Sequence, residues 1–78
     1  MKITLQPIKV SVGETGDGRL VVADGWLVAV LVQLGANNGV DAGGWFVETG
    51  YGAMSGETHP VFSSLATAKD WFTAHLTQ

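Results

Sequence analysis

The chain has 78 residues, no cysteine, a net charge of −3 and only 14% charged side chains. Its cations are few and scattered, which argues against nucleic acid or an anionic membrane surface as partner: Lys2, Lys9, Arg19 and Lys69. Without cysteine, neither a disulfide nor a thiolate–metal site can stabilise the fold, so apolar packing must hold it together. We expect one small domain over residues 1–78.

The N-terminal residues and the longest apolar run bear on location. Residues 1–7 lack the continuous apolar core of a signal peptide. The longest apolar run, residues 26–32, is much shorter than the roughly 20 residues that cross a bilayer. We therefore expect a cytoplasmic protein with no membrane partner.

The first strand is predicted from alternating apolar residues. Ile8, Val10 and Val12 recur at period two, which predicts a strand over about Ile8–Val12, with a short piece at Ile3–Leu5. Pro7 has no N–H, so it interrupts the ladder or lies on a sheet edge. The Gly and Asp residues of segment 13–18 then predict a turn.

A β-hairpin is the strongest local prediction. Two β-branched runs, residues 19–23 and 26–34, flank Asp24-Gly25, the dipeptide typical of a two-residue hairpin turn. Strict alternation along the second run places Trp26, Val28, Val30, Val32 and Leu34 on one face. The other face receives Leu27, Ala29 and Leu31, so both faces of this strand are apolar.

A flexible loop rich in Gly and Asn over residues 35–44 precedes the last predicted strand, residues 45–51. In that strand, alternation places four residues on one face: Trp45, Val47, Thr49 and Tyr51. Phe46 and Glu48 lie on the other face. A second loop over residues 52–60 leads to the only helix candidate.

The helix is predicted over Ser64–Leu76, with Ser63 or Ser64 as its N-cap. An apolar stripe at helical spacing comprises Leu65, Ala68, Phe72 and Leu76, with Trp71 beside it. Phe62 precedes the cap, so we expect it to pack on the first turn as a hydrophobic staple. His75, if protonated, is favoured by the helix dipole at the C-terminal end.

These elements predict an α+β fold: a three- or four-stranded antiparallel meander with the Asp-Gly hairpin, packed against one C-terminal helix. The small residue Ala29 suggests a seat for the helix on its face, although alternation alone does not decide which face the helix covers. Because one helix covers only one face, the opposite face is the predicted interface, formed by Trp26, Val28, Val30 and Val32.

Few residues suggest chemistry. Glu57, His59 and His75 contain metal-ligating atoms, but their spacing matches no zinc pattern, so we predict no metal, no cofactor and no catalytic residue. The glycine clusters open onto strands or loops and are interpreted as turns rather than phosphate cradles. Trp26, Trp45 and Tyr51 suggest a stacking platform, although Trp45 also fits a core position and Tyr51 a strand end.

The C-terminal half has a recognisable pattern in residues 45–52 and 60–68. It resembles small uncharacterised bacterial proteins in which a sheet is followed by Phe-x-Ser-Leu-x-x-Ala and a short C-terminal helix; this resemblance implies no activity. The β-β-β-α order also resembles the AP2-type DNA-binding domain, whose strands carry Arg and Trp. Here the matching strands carry Val, Leu and Glu48, so the resemblance implies the shape without the DNA contacts.

The sequence thus favours a non-enzymatic protein-interaction module that self-associates through its second sheet face or an edge strand. Two alternatives stay open. One is a small-ligand or nucleic-acid binding β-β-β-α domain, for which Lys9 and Arg19 are the residues to test. The other is an enzyme, for which His59 and Glu57 are the first residues to mutate.

Overall fold

A computed structural model describes residues 1–11, 15–56 and 59–76 of the chain. It contains four strands and one helix: β1 (Ile3–Lys9), β2 (Asp17–Ala23), β3 (Trp26–Gln33), β4 (Trp45–Gly50) and α1 (Leu65–Leu76). The strands form one antiparallel sheet in the order β1-β2-β3-β4. The predicted α+β meander with a C-terminal helix is therefore confirmed. No helix in the described ranges is both long and apolar enough to span a bilayer.

The turn between β2 and β3 is the predicted Asp-Gly hairpin. Asp24 and Gly25 both adopt positive φ, 50° and 90°, as a type I′ turn requires. Ala23 and Trp26 consequently pair directly across the turn. The Asp24 carboxylate also accepts a hydrogen bond from the backbone N–H of Lys2 at 2.7 Å, which ties the start of β1 to the turn.

Strand β1 runs without a break through Pro7, so the prediction of two separate pieces was wrong. On the β2 side, the carbonyl oxygen of Lys2 accepts a hydrogen bond from the N–H of Asp24, and the N–H of Val10 donates to the carbonyl oxygen of Gly16. Alternation then directs the nitrogen of Pro7 to the free edge, where a missing N–H breaks no ladder bond. The strand ends at Lys9 rather than Val12, and Val12 lies outside the described residues.

Two β-bulges interrupt the strict alternation predicted from the sequence. Val28 has no register partner, since Val21 pairs with Ala29 and Val22 with Leu27. Glu48 is bypassed in the same way, since Leu31 pairs with Val47 and Val30 with Thr49. An extra residue moves the following side chains to the other face. The predicted face is therefore wrong for four residues: Trp26, Leu27, Val28 and Thr49.

The core lies between α1 and one face of the sheet. Ala29 is fully buried in the same apolar cluster as Ala68 and Phe72 of the helix. The backbone of α1 lies nearest to β1, so the seat of the helix at Ala29 stays a prediction. The buried apolar cluster comprises Ile3, Val21, Ala23, Ala29, Leu31, Trp45, Met54, Phe62, Ala68 and Phe72.

Helix α1 begins with a side-chain cap. The backbone N–H of Thr67 donates to the Ser64 hydroxyl oxygen at 3.1 Å, the bond expected between an N-cap and the third helical residue. We expect Ser64→Ala to lower the free energy of unfolding by about 1 kcal/mol in urea denaturation. Ser63→Ala is the matched control, and equal losses in the two variants would contradict the assignment of the cap.

Phe62 closes part of the β4 edge rather than capping the first helical turn. Its backbone N–H and C=O exchange two hydrogen bonds with Trp45, each of 2.8 Å. Its ring centroid lies 5.4 Å from that of Trp71 and 5.9 Å from that of Phe72, both well inside α1. The predicted staple against the first turn is thus replaced by packing two turns further along.

The two connecting loops contain short 3-10 helices, Ala36–Asp41 and Gly52–Met54. The second returns the chain to the sheet, because Met54 is buried in the core and its backbone crosses Gly50 closely. A side chain at position 50 would place Cβ only 2.2 Å from the Met54 carbonyl oxygen. Position 50 therefore requires glycine, because there is no room for a side chain beside the Met54 backbone.

Candidate functional site

The sheet face opposite α1, here called the outer face, is built from three rows of residues that pair across the strands. These rows are Ile8, Gly18, Val32 and Phe46; Gln6, Leu20, Val30 and Thr49; and Thr4, Val22 and Leu27. Directly opposed residues project to the same side of an antiparallel sheet. The register therefore brings together side chains from all four strands.

The outer face is largely apolar and no element of the described chain lies across it. Ile8, Leu27 and Phe46 are exposed, with 41%, 41% and 37% of their surfaces accessible. Soluble proteins seldom leave a continuous apolar patch uncovered unless it binds something. This face is therefore the candidate functional site.

Val10 makes the surface continuous beside Gly18. Its Cγ2 atom lies 2.5 Å from the position that a Cβ of residue 18 would occupy. Val10 thus fills the space left by the missing side chain of Gly18. The neighbouring Val32, which pairs with Gly18, is only 3% exposed.

The structure divides the four predicted interface residues into two groups. Val30 and Val32 lie on the outer face as expected. Trp26 pairs with Ala23 of the helix-covered face and is 77% exposed at the end of the sheet, while Val28 packs against the core cluster. The cause is the bulge at Val28, which sets the residues before it out of phase with those after it.

Several outer-face residues were missed by reading β3 alone: Ile8, Leu20, Val22, Leu27 and Phe46. The Asp-Gly turn contained a usable signal for one of these pairs. A two-residue turn fixes Ala23 opposite Trp26, so Val22 must lie opposite Leu27 on the other face. The other positions depend on the register of β1 and β4, which local sequence does not specify.

Two of the cations, Lys9 and Arg19, lie away from the outer-face rows. Lys9 forms a salt bridge with Asp17 at the end of β1, and this hydrogen bond to the ammonium lowers the pKa of the Asp17 carboxyl. The guanidinium of Arg19 lies 4.9 Å from the ring centroid of Trp45, on the helix-covered side. Lys9 and Arg19 are thus engaged within the protein.

The histidines pack around Trp71. The Nε2 of His59 lies 2.9 Å from the carbonyl oxygen of Met54, which requires this nitrogen to carry the proton and donate. His59 meets the Trp71 ring edge-on at 5.8 Å, and His75 stacks on it at 3.7 Å. Glu57, the predicted companion of His59, lies outside the described residues.

Two hollows add no further reactive group. One, of about 150 Å³, lies between the first 3-10 helix and the segment before α1 and is lined by Asp41, Val61 and Ser63 among others. The other lies beside Lys2, Thr4 and Asp24. Within the described ranges, no three His, Asp or Glu side chains cluster closely enough to hold a metal ion.

Comparison with known proteins identifies no relative of this chain. It matches no family model, no curated protein and no solved structure. The resemblance of its C-terminal half to small bacterial proteins is therefore a prediction from the sequence.

Proposed function

We propose that this chain is a non-enzymatic protein-interaction module that binds a protein surface through its outer face. The observation that carries the proposal is the asymmetry of the sheet. Helix α1 covers one apolar face, and the opposite face presents Leu20, Val22, Leu27 and Val30 without a covering element in the described chain. A protein partner would remove these side chains from water.

Burial of this face supplies a driving force for association. Each Å² of apolar surface removed from water contributes about 25 cal/mol, so a few such side chains contribute several kcal/mol. Part of that energy is spent on the lost translational and rotational freedom of two molecules. The net free energy of association therefore favours a partner that covers most of the three rows over one that covers only a small part of the face.

The face is a better binding surface than either edge of the sheet. On the β1 edge, Pro7 removes a donor at the centre of the strand. On the β4 edge, Trp45 already uses its outward N–H and C=O to bond Phe62. Of the two routes to self-association predicted from the sequence, the geometry therefore supports the face.

The nucleic-acid alternative finds less support from the charges. Lys9 is paired with Asp17, and Arg19 lies over Trp45 on the helix-covered side. A nucleic-acid surface needs several free cations on one side of the protein. The outer-face rows themselves contain no cation, and Lys2, which lines a hollow beside Thr4 and Val22, has the Asp24 carboxylate next to it.

Val30→Lys is expected to abolish partner binding while leaving the fold intact. Val30 lies in the middle row, so a lysine there places an ammonium group in the centre of the buried contact. In the free protein the same side chain reaches water, so the free energy of unfolding should change by less than about 1 kcal/mol. Light scattering and capture from a lysate of the source organism measure association, and urea denaturation measures stability.

Val40→Lys is the matched control because Val40 is fully exposed in the loop before β4. We expect this variant to associate and to capture partners like the unmodified protein. If Val30→Lys left self-association and partner capture both unchanged, the outer face would not be the binding surface.

A further inference from the structure

We infer that the partner of the outer face is a second copy of this chain, related by a two-fold axis parallel to the strands. This inference rests on the proposed function, because it identifies the occupant of the same face. In this arrangement β1 of one copy lies across β4 of the other, and β2 lies across β3. The two sheets form a sandwich with a helix on each outside.

Under this axis, each row of one copy faces the same row of the other copy, and the paired residues have similar polarity. The axis keeps each row at its own height, so Ile8 meets Phe46 of the other copy in the first row. In the middle row Leu20 meets Val30, and in the third Val22 meets Leu27. Apolar residues therefore meet apolar residues in all three rows.

The polar residues of the middle row also match. Gln6 lies opposite Thr49 of the other copy, beside the bulge residue Glu48, which is exposed. Within the described ranges, the side chains of Gln6 and Glu48 form no hydrogen bond or ion pair with the rest of the chain. The amide of Gln6 can donate to that carboxylate, and the symmetry produces the contact twice.

The area of the face is sufficient for a reversible dimer. Four strands at about 4.8 Å spacing and about seven residues per strand at about 3.3 Å rise give a face of about 19 by 23 Å. Two copies therefore bury about 900 Å², which is slightly more than most crystal contacts, at below about 800 Å², and less than standard stable interfaces of about 1,600 Å². We expect a weak dimer that dissociates in the micromolar range.

A two-fold axis perpendicular to the strands gives a poorer match. It places β1 across β1 and brings Gln6 opposite Gln6, because residue 6 lies midway along the face. Glu48 would then lie on β4 across from β4 of the other copy, so the two carboxylates would approach each other. The choice between the axes can therefore be tested through position 6.

Charge substitution at Gln6 distinguishes the two axes. With β1 across β4, Gln6→Glu faces Glu48 and should weaken the dimer about fivefold, whereas Gln6→Lys should strengthen it about fivefold. With β1 across β1, each variant faces its own like charge, so both should weaken the dimer. Sedimentation equilibrium over the micromolar range gives the dissociation constants.

Ala66→Glu and Ala66→Lys are the matched controls, since Ala66 is exposed on α1 and the net charge changes identically. We expect their dissociation constants to stay within twofold of the unmodified protein. Equal weakening by both Gln6 variants would overturn the proposed axis. A third readout uses the absence of cysteine: with a maleimide crosslinker of about 10 Å, the spacing of stacked sheets, the double variant Gln6→Cys, Glu48→Cys should yield linked dimers, whereas Gln6→Cys alone should yield none.

Failure of this inference can be told apart from failure of the proposed function. A protein that stays monomeric throughout the micromolar range overturns the second copy as partner. If Val30→Lys then still abolishes capture of a different protein, the outer face remains a binding surface. If it abolishes nothing, both proposals fall.

Discussion

Replacing Phe72 with alanine is expected to leave most of the protein unfolded at room temperature. The Phe72 side chain is fully buried between α1 and the sheet and contacts the rings of Phe62 and Trp71. Removing such a ring leaves a cavity and costs about 3–5 kcal/mol. A domain of this size without disulfides has about 3–5 kcal/mol of stability in total. Far-UV circular dichroism with urea denaturation measures the loss.

Lys69→Ala is the control for the Phe72 variant, since Lys69 is exposed on the same helix. Its free energy of unfolding should stay within about 0.5 kcal/mol of the original. A Phe72→Ala protein that retained most of its stability would show that α1 contributes little to the core. The sheet would then have to fold without its helix.

Gly50→Ala is expected to cost about 3 kcal/mol, at the upper end of the range for overpacked sites. The added methyl group would meet the Met54 carbonyl oxygen at 2.2 Å, so the backbone itself must move. That movement would pull the buried Met54 side chain out of the core. Thermal unfolding should show a correspondingly lower Tm.

Gly43→Ala separates the effect of space from that of backbone conformation. Gly43 has φ of 80° and no atom within 4 Å of an added Cβ, so only the left-handed conformation is penalised, by about 1 kcal/mol. At Gly50 the penalty arises instead from the lack of space for an added methyl group. If Gly43→Ala and Gly50→Ala lowered the free energy of unfolding equally, the chain after β4 would have to shift easily. That result would contradict the close approach of the Met54 backbone to Gly50.

The hairpin and the helix could be predicted because their signals are local. Asp24-Gly25 requires positive φ at both positions, and Ser64 caps the helix that follows it. In both cases the residues that set the boundary of an element lie directly beside that element in the sequence. Met54 shows the contrary case, since its burial depends on a return of the chain to Gly50 that no local pattern indicates.

The candidate site was only partly predictable, for a physical reason. Alternation places Val30 and Val32 correctly, but an extra residue at Val28 reverses the side of Trp26 and Leu27. A bulge depends on how two strands twist together, and Val28 itself has ordinary strand chemistry. A sequence pattern with period two cannot contain that information.

The placement of α1 limits how far the proposed pairing could extend. In the described residues the helix occupies one side of the sheet, so the sheet offers one apolar face to a second molecule. If two such faces pair as proposed, neither sheet has a second apolar face to offer, and growth through this face stops at a pair. A strand edge without Pro7 would have offered the other route, in which sheets lengthen without end as fibrils do. The fold therefore permits an apolar surface and low charge with a small risk of open-ended aggregation.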